Sequence, residues 1–107
     1  MVTELYRITK AFPKEEMFGL TSQVRRAAVS VPSNIAEGNG RLPRGEYLQS
    51  LGHARGSLME VETQIAIAIN LSYLQLDQTK IVAGQIVETS RMLNALIASL
   101  QSKGPKD

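Results

Sequence analysis

The sequence predicts an all-α protein, an antiparallel up-and-down four-helix bundle formed by residues 1–107 as one domain. Two observations favour helices over a sheet. Aromatic residues make up 5% of the chain and Trp is absent, whereas Ala, Leu, Ile and Val supply most of the apolar content. Apolar residues also recur every three or four positions, which is the spacing of a buried helical stripe.

The first predicted helix is short and covers about residues 2–11. Val2, Leu5 and Ile8 supply its apolar stripe. It ends at Phe12-Pro13, because proline disfavours helical geometry in the residue before it.

The second predicted helix covers about residues 14–37. Pro13 suits the first turn of a helix, where its missing N–H removes no hydrogen bond. Pro32 lies inside the helix and removes one backbone hydrogen bond, which predicts a kink. Gly38-Asn39-Gly40 ends the helix, since Gly and Asn tolerate the left-handed conformation.

The third and fourth predicted helices cover about residues 43–70 and 77–100, and Asp77 is the expected N-cap of the last one. Gly52, Gly56 and Thr63 share one face of the third helix, where small side chains would let another helix approach closely. The first helix would be about 15 Å long and the third about 40 Å. We therefore expect much of the groove beside helices two to four to lie uncovered by the first helix. Either a partner covers it or the chain starts inside a longer first helix.

Composition excludes several functional classes. Without cysteine the chain has no disulfide, thiolate metal site or thiol nucleophile. His53 is the single histidine, and its pairing with Glu60 across two helical turns indicates a surface pair more than a metal site. We expect no metal, no cofactor and no catalytic residue. The N-terminus lacks a signal peptide and no apolar run is long enough to span a membrane, so a cytoplasmic protein is predicted.

Basic residues are unevenly distributed along a chain whose net charge is +2. Most of the arginines lie between residues 25 and 55 of the sequence: Arg25, Arg26, Arg41, Arg44 and Arg55. One interpretation is a basic patch that binds RNA or DNA backbone, with free N–H groups at the start of the third helix beside Arg41 and Arg44. The other is that these arginines pair with glutamates inside the bundle.

A polar network between helices two and three is the second candidate site. Half-buried arginines require carboxylate partners, because an unpaired buried charge is costly. We therefore predict that arginines of helix two meet Glu60 or Glu62, within one chain or between chains. The predicted network comprises Arg26, Ser30, Asn34, Glu37, Glu60 and Glu62.

Two segments carry a resemblance to a known family. The run FPKEE…FGLTSQVRRAAVSVPSNIAEGNGR and the later ARGSLMEVETQI resemble the four-helix-bundle proteins encoded in 23S rRNA intervening sequences. That resemblance implies a homopentameric ring without established enzymatic activity. Members usually carry about three more helical turns before the segment matching VTELYRITKAFP, which implies that the first helix is shortened here. The residues that match the family pattern, and that we interpret as structural, are Gln23, Ser30, Asn34, Glu37, Gly56, Ser57 and Glu60.

Two functions follow as hypotheses. This type of protein is also similar to the accessory variability protein of diversity-generating retroelements, a basic pentameric barrel that binds nucleic acid and a reverse transcriptase. That likeness implies a non-enzymatic oligomeric scaffold with RNA or DNA, or a protein such as a reverse transcriptase, as partner. The alternative is a structural or protein-adaptor ring whose arginines are used in salt bridges. A small hydrolase or metal enzyme is disfavoured by the residue inventory.

Overall fold

The computed structural model describes residues 1–38 and 42–102, and it forms the predicted all-α bundle. Four α-helices and two 3₁₀ turns occupy this part of the chain, which contains no strand. The helices are α1 (Val2–Thr9), α2 (Leu20–Gly38), α3 (Arg44–Asn70) and α4 (Lys80–Gln101), and the turns are Lys14–Glu16 and Leu76–Thr79.

One apolar stripe of each helix meets the others in a common core. The spacing of three and four residues places these side chains on one face, as the sequence predicts. The fully buried large side chains include Leu5 of α1, Val24 and Val31 of α2, Leu51, Leu58 and Val61 of α3, and Val82 and Leu93 of α4. Leu20 and Ile35, which continue the spacing of Val24 and Val31 towards the two ends of α2, are only half-buried.

Helix α2 begins six residues later than predicted. Residues Lys14–Glu16 form a separate 3₁₀ turn, and the α-helix starts only at Leu20. The reason is local: Glu16 Oε1 accepts a hydrogen bond of 3.1 Å from the backbone N–H of Leu20 and so satisfies one of the free donors at the helix start. Pro32 lies inside α2 as expected, and the kink there stays a prediction.

The other predicted helix boundaries differ from the observed ones by three residues or fewer, and the largest of these differences is at the start of α4. Helix α1 ends at Thr9 and not at residue 11, because Lys10 and Phe12 make tighter i→i+3 hydrogen bonds. Before α4, the Gln78 side chain accepts a hydrogen bond of 2.7 Å from the backbone of Gln75, so Asp77 lies inside a 3₁₀ turn instead of capping the helix.

A clasp between two connections closes one end of the bundle. The hydroxyl of Tyr73, after α3, donates a hydrogen bond of 2.8 Å to Glu16 Oε2, before α2. The rings of Tyr73 and Phe12 lie 5.5 Å apart. The Leu20 N–H and the Tyr73 hydroxyl lower the pKa of Glu16, and the bond to Glu16 raises the pKa of Tyr73.

We expect this clasp to weaken in acid. A carboxyl group whose pKa is lowered by folding contributes stability above its unfolded pKa, and the contribution is lost as pH falls through the folded pKa. The variant Glu16→Gln should therefore show less loss of thermal stability than the wild type between about pH 6 and pH 3. An acid profile identical to that of the wild type would contradict the role of Glu16. The exposed neighbour variant Glu15→Gln is the control.

Candidate nucleic-acid interface

Arg25, the first of the candidate arginines, is used inside the molecule. Its Nε donates a hydrogen bond of 2.9 Å to Thr9 Oγ1, and its Nη2 donates one of 3.3 Å to the Tyr6 carbonyl. The guanidinium carbon also lies 4.5 Å from the centre of the Tyr6 ring, within range of a cation–π contact. Arg25 therefore holds α1 on α2, and its charged group is not directed towards a ligand.

Removal of this arginine should destabilise the fold. We expect Arg25→Ala to lower the free energy of unfolding by about 1–2 kcal/mol, because two hydrogen bonds and the ring contact are lost together. Chemical denaturation measures the effect, and Arg25→Lys should retain part of the stability. Equal stability of Arg25→Ala and the wild type would contradict this role.

Arg44 and Arg55 both reach α4. The half-buried Arg44 donates a hydrogen bond of 3.3 Å from Nη1 to the carbonyl of Leu100, near the end of α4, where a positive charge is favourable. Arg55 donates one of 3.2 Å from Nη1 to Asn94 Oδ1. Both arginines thus contribute to the packing of α4 on α3.

Arg26 differs from the other candidates that the structure describes. Its side chain is exposed, as that of Arg55 is, but it makes no hydrogen bond to another described residue. It borders a depression between α2 and α3 together with Ser30, Ser57 and Glu60. The adjacent Arg25 points to α1, so the two side chains serve different parts of the surface. Arg41 lies outside the described residues.

Serine and asparagine side chains join α2 to α3 along a line that we call the polar seam: Ser30, Asn34, Ser50 and Ser57. Ser57 Oγ donates to Ser30 Oγ at 2.9 Å, and Ser50 Oγ donates to the Asn34 carbonyl at 2.7 Å. The Asn34 amide donates to the Ser30 carbonyl at 2.8 Å. Residue numbers rise along α2 as they fall along α3, so neighbouring parts of these two helices run in opposite directions.

The sequence predicts a structural role for three of the four seam residues. Ser30 and Asn34 belong to the predicted network and Ser57 to the residues interpreted as structural, whereas Ser50 is missed. A signal was available, because Ser50, Ser57 and Gln64 recur every seven residues and so share one face of α3.

Among residues 1–38 and 42–102, neither Arg25 nor Arg26 forms the predicted ion pair with a glutamate. An ion pair within 4 Å joins Arg7 to Glu4 of α1, at 2.6 Å. Glu60 lies beside Arg26 at the edge of one depression, whereas Glu62 borders a different one between α3 and α4. Side chains two residues apart on an α-helix point in nearly opposite directions, so Glu60 and Glu62 cannot both contact α2. Pairing between chains stays a prediction.

Glu37 lies further along the same side, at a depression that Asn34, Glu46 and His53 also border. The described residues contain no group of three His, Asp or Glu side chains that could hold a metal ion. The hydroxyls of Ser30 and Ser57 bond to each other, and neither bonds to a histidine. This arrangement supports packing of the two helices, and it does not form an activated nucleophile.

In the described part of the chain, no helix combines the length and the hydropathy that a membrane crossing requires. The sequence model of a family described as "23S rRNA-intervening sequence protein" matches residues 1–95. No curated protein matches the chain.

Proposed function

Because the chain belongs to the family of 23S rRNA-intervening sequence proteins, we propose that it is a non-enzymatic, self-associating helical scaffold that holds a protein partner. The observation that carries the proposal is the use of the candidate arginines. Arg25, Arg44 and Arg55 donate hydrogen bonds to other helices or their ends. The guanidinium groups of these three arginines therefore stabilise the packing of the helices, and are less available to bind a ligand.

The exposed surface supports protein contact over catalysis. Large apolar side chains lie in solvent, among them Phe18 at 94%, Leu76 at 71% and Met59 at 62% exposure. Met59 and Ile67 line one groove together with Leu20, and contiguous apolar surface of this kind is typical of sites that bind other proteins. The polar side chains of the α2–α3 seam bond to one another, so they contribute to the fold.

Binding to the RNA or DNA backbone is the second candidate. The exposure of Arg26 and the excess of positive charge in the first half of the chain favour it. Such binding would be electrostatic and largely indifferent to base sequence, because the aromatic residues are few and Tyr73 and Phe12 are used in the clasp.

A gel-shift experiment at two salt concentrations separates the two candidates. We use a labelled RNA and a labelled DNA duplex with the wild type, with Arg26→Ala/Arg41→Ala, and with the control Lys14→Ala/Lys80→Ala. The adaptor function predicts no specific shift at low salt and no difference between the variants. A shift that weakens steeply with salt and is lost only in the arginine variant would overturn the adaptor function in favour of nucleic-acid binding.

Light scattering tests self-association separately, and a protein that is monomeric at all concentrations would contradict the scaffold. The predicted pentamer and the cytoplasmic location stay predictions.

A further inference from the structure

The outward face of α3 is left largely uncovered by the other described residues. It is formed by Gly52, Gly56, Met59, Thr63 and Ile67, spaced at three and four residues. A Cβ atom built on Gly52 or Gly56 would meet nothing within 4 Å. Met59 and Ile67 are 62% and 42% exposed, and with Leu20 they line an open groove towards α2. This face, which we call the α3 face, is smooth, apolar and about 22 Å long.

Helix α4 carries a second, largely exposed face of matching length, which we call the α4 face; at one edge of it Met92 borders a depression towards α1 and α2. It is formed by Ile81, Gly84, Glu88, Met92 and Ala95, again at spacings of three and four, and spans about 21 Å. Ile81 and Met92 are 58% and 49% exposed. A Cβ atom on Gly84 would meet nothing within 4 Å, so another helix can approach α4 closely here.

The charges beside the two faces are complementary. Arg26 and Glu60 border the groove next to the α3 face. Glu88 lies within the α4 face, and Arg91 follows it by three residues. None of these four groups is in an ion pair with another described residue. The cation Arg26 and the anion Glu60 of one copy can therefore meet the anion Glu88 and the cation Arg91 of another copy.

We infer that the α3 face of one copy binds the α4 face of the next copy, with Arg26 paired to Glu88 and Glu60 paired to Arg91. The inference rests on the proposed self-association and adds which surfaces carry it. A contact between two different faces is head-to-tail, and repeated copies then close into a ring or extend as a filament. Glycine on both faces lets the helices approach, and the exposed Met and Ile side chains fill the contact.

Glycine substitutions test the contact without loss of the fold. Gly56→Gln and Gly84→Gln each add a side chain where the chain itself leaves room, and glutamine is a better helix former than glycine. Helix content by circular dichroism should therefore be unchanged. The protein concentration at half-dissociation, measured by sedimentation velocity, should rise by at least about tenfold. Gly45→Gln, which has equal room outside both faces, should leave it unchanged.

Charge reversal tests the pairing. Arg26→Glu alone and Glu88→Arg alone should weaken assembly, because like charges then meet across the contact. The double variant Arg26→Glu/Glu88→Arg should regain assembly, while Lys14→Glu serves as the control for a change in net charge. If both glycine variants assemble as well as the wild type, or if the double charge variant stays dissociated, the assignment of these two faces is wrong, while self-association itself still holds. A wild type that is monomeric at every concentration would overturn the scaffold itself.

Discussion

Replacement of Gly38 by alanine is expected to lower the free energy of unfolding by about 1–3 kcal/mol, the usual cost of an overpacked contact. Gly38 is buried at the end of α2. A Cβ atom there would overlap Cδ1 of Tyr47 and lie 2.7 Å from Cε1 and 3.2 Å from Cγ. These atoms belong to the near part of the ring, which cannot yield without a change in the packing of α3 on α2. The melting temperature should fall by about 4–8 °C per kcal/mol.

A double-mutant cycle shows whether the ring is the cause. In a Tyr47→Ala background the alanine at position 38 should cost nothing or stabilise the helix, because the overlapping atoms are gone. Gly45→Ala is the matched control: it has no atom within 4 Å of the added Cβ and should be neutral or stabilising. The same penalty at position 38 with and without the Tyr47 ring would contradict the steric explanation.

The second large effect is expected for Leu5→Ala. Leu5 is fully buried (0% exposed) and lies in a helix of 8 residues. A helix of this length is not stable alone, so α1 depends on Leu5, Ile8 and the contacts of Arg25. Loss of the side chain should lower the free energy of unfolding by about 3 kcal/mol, from lost burial and the cavity that remains.

Urea denaturation measures this change, and amide hydrogen exchange locates it. We expect α1 to lose protection and the core of α2 and α3 to be weakened together. The exposed Lys10→Ala serves as the control. Unchanged global stability with loss of protection in α1 alone would mean that α1 opens independently and does not support the core.

The sequence predicts the helices of the bundle more accurately than it predicts the candidate sites. The apolar periodicity of Leu51, Leu58 and Val61 predicts their burial, because helical spacing alone decides which side chains share a face. The start of α2 was wrong by six residues. It follows from the local hydrogen bond that the Leu20 N–H donates to Glu16, which apolar spacing does not reveal. The contact of the same Glu16 side chain with Tyr73, 57 residues away, appears in no local pattern.

The arginines illustrate the same difference at the level of function. Arg25 and Arg26 are adjacent and chemically identical, so the sequence places them in one basic patch. In the folded chain Arg25 binds Thr9 and Tyr6, while Arg26 remains exposed beside Glu60. A rotation of about 100° between neighbouring helical residues directs them to different helices.

By itself the sequence determined the all-α class, the number of helices, the apolar stripes and the family, because each follows from local spacing and residue type. Only the tertiary structure decided which polar groups are used within the bundle and which remain available. That decision depends on contacts between distant parts of the chain, such as Arg44 with Leu100 and Ser57 with Ser30. The exposed faces of α3 and α4 are likewise visible only in the tertiary structure, because a helix face stays exposed only where no other helix covers it.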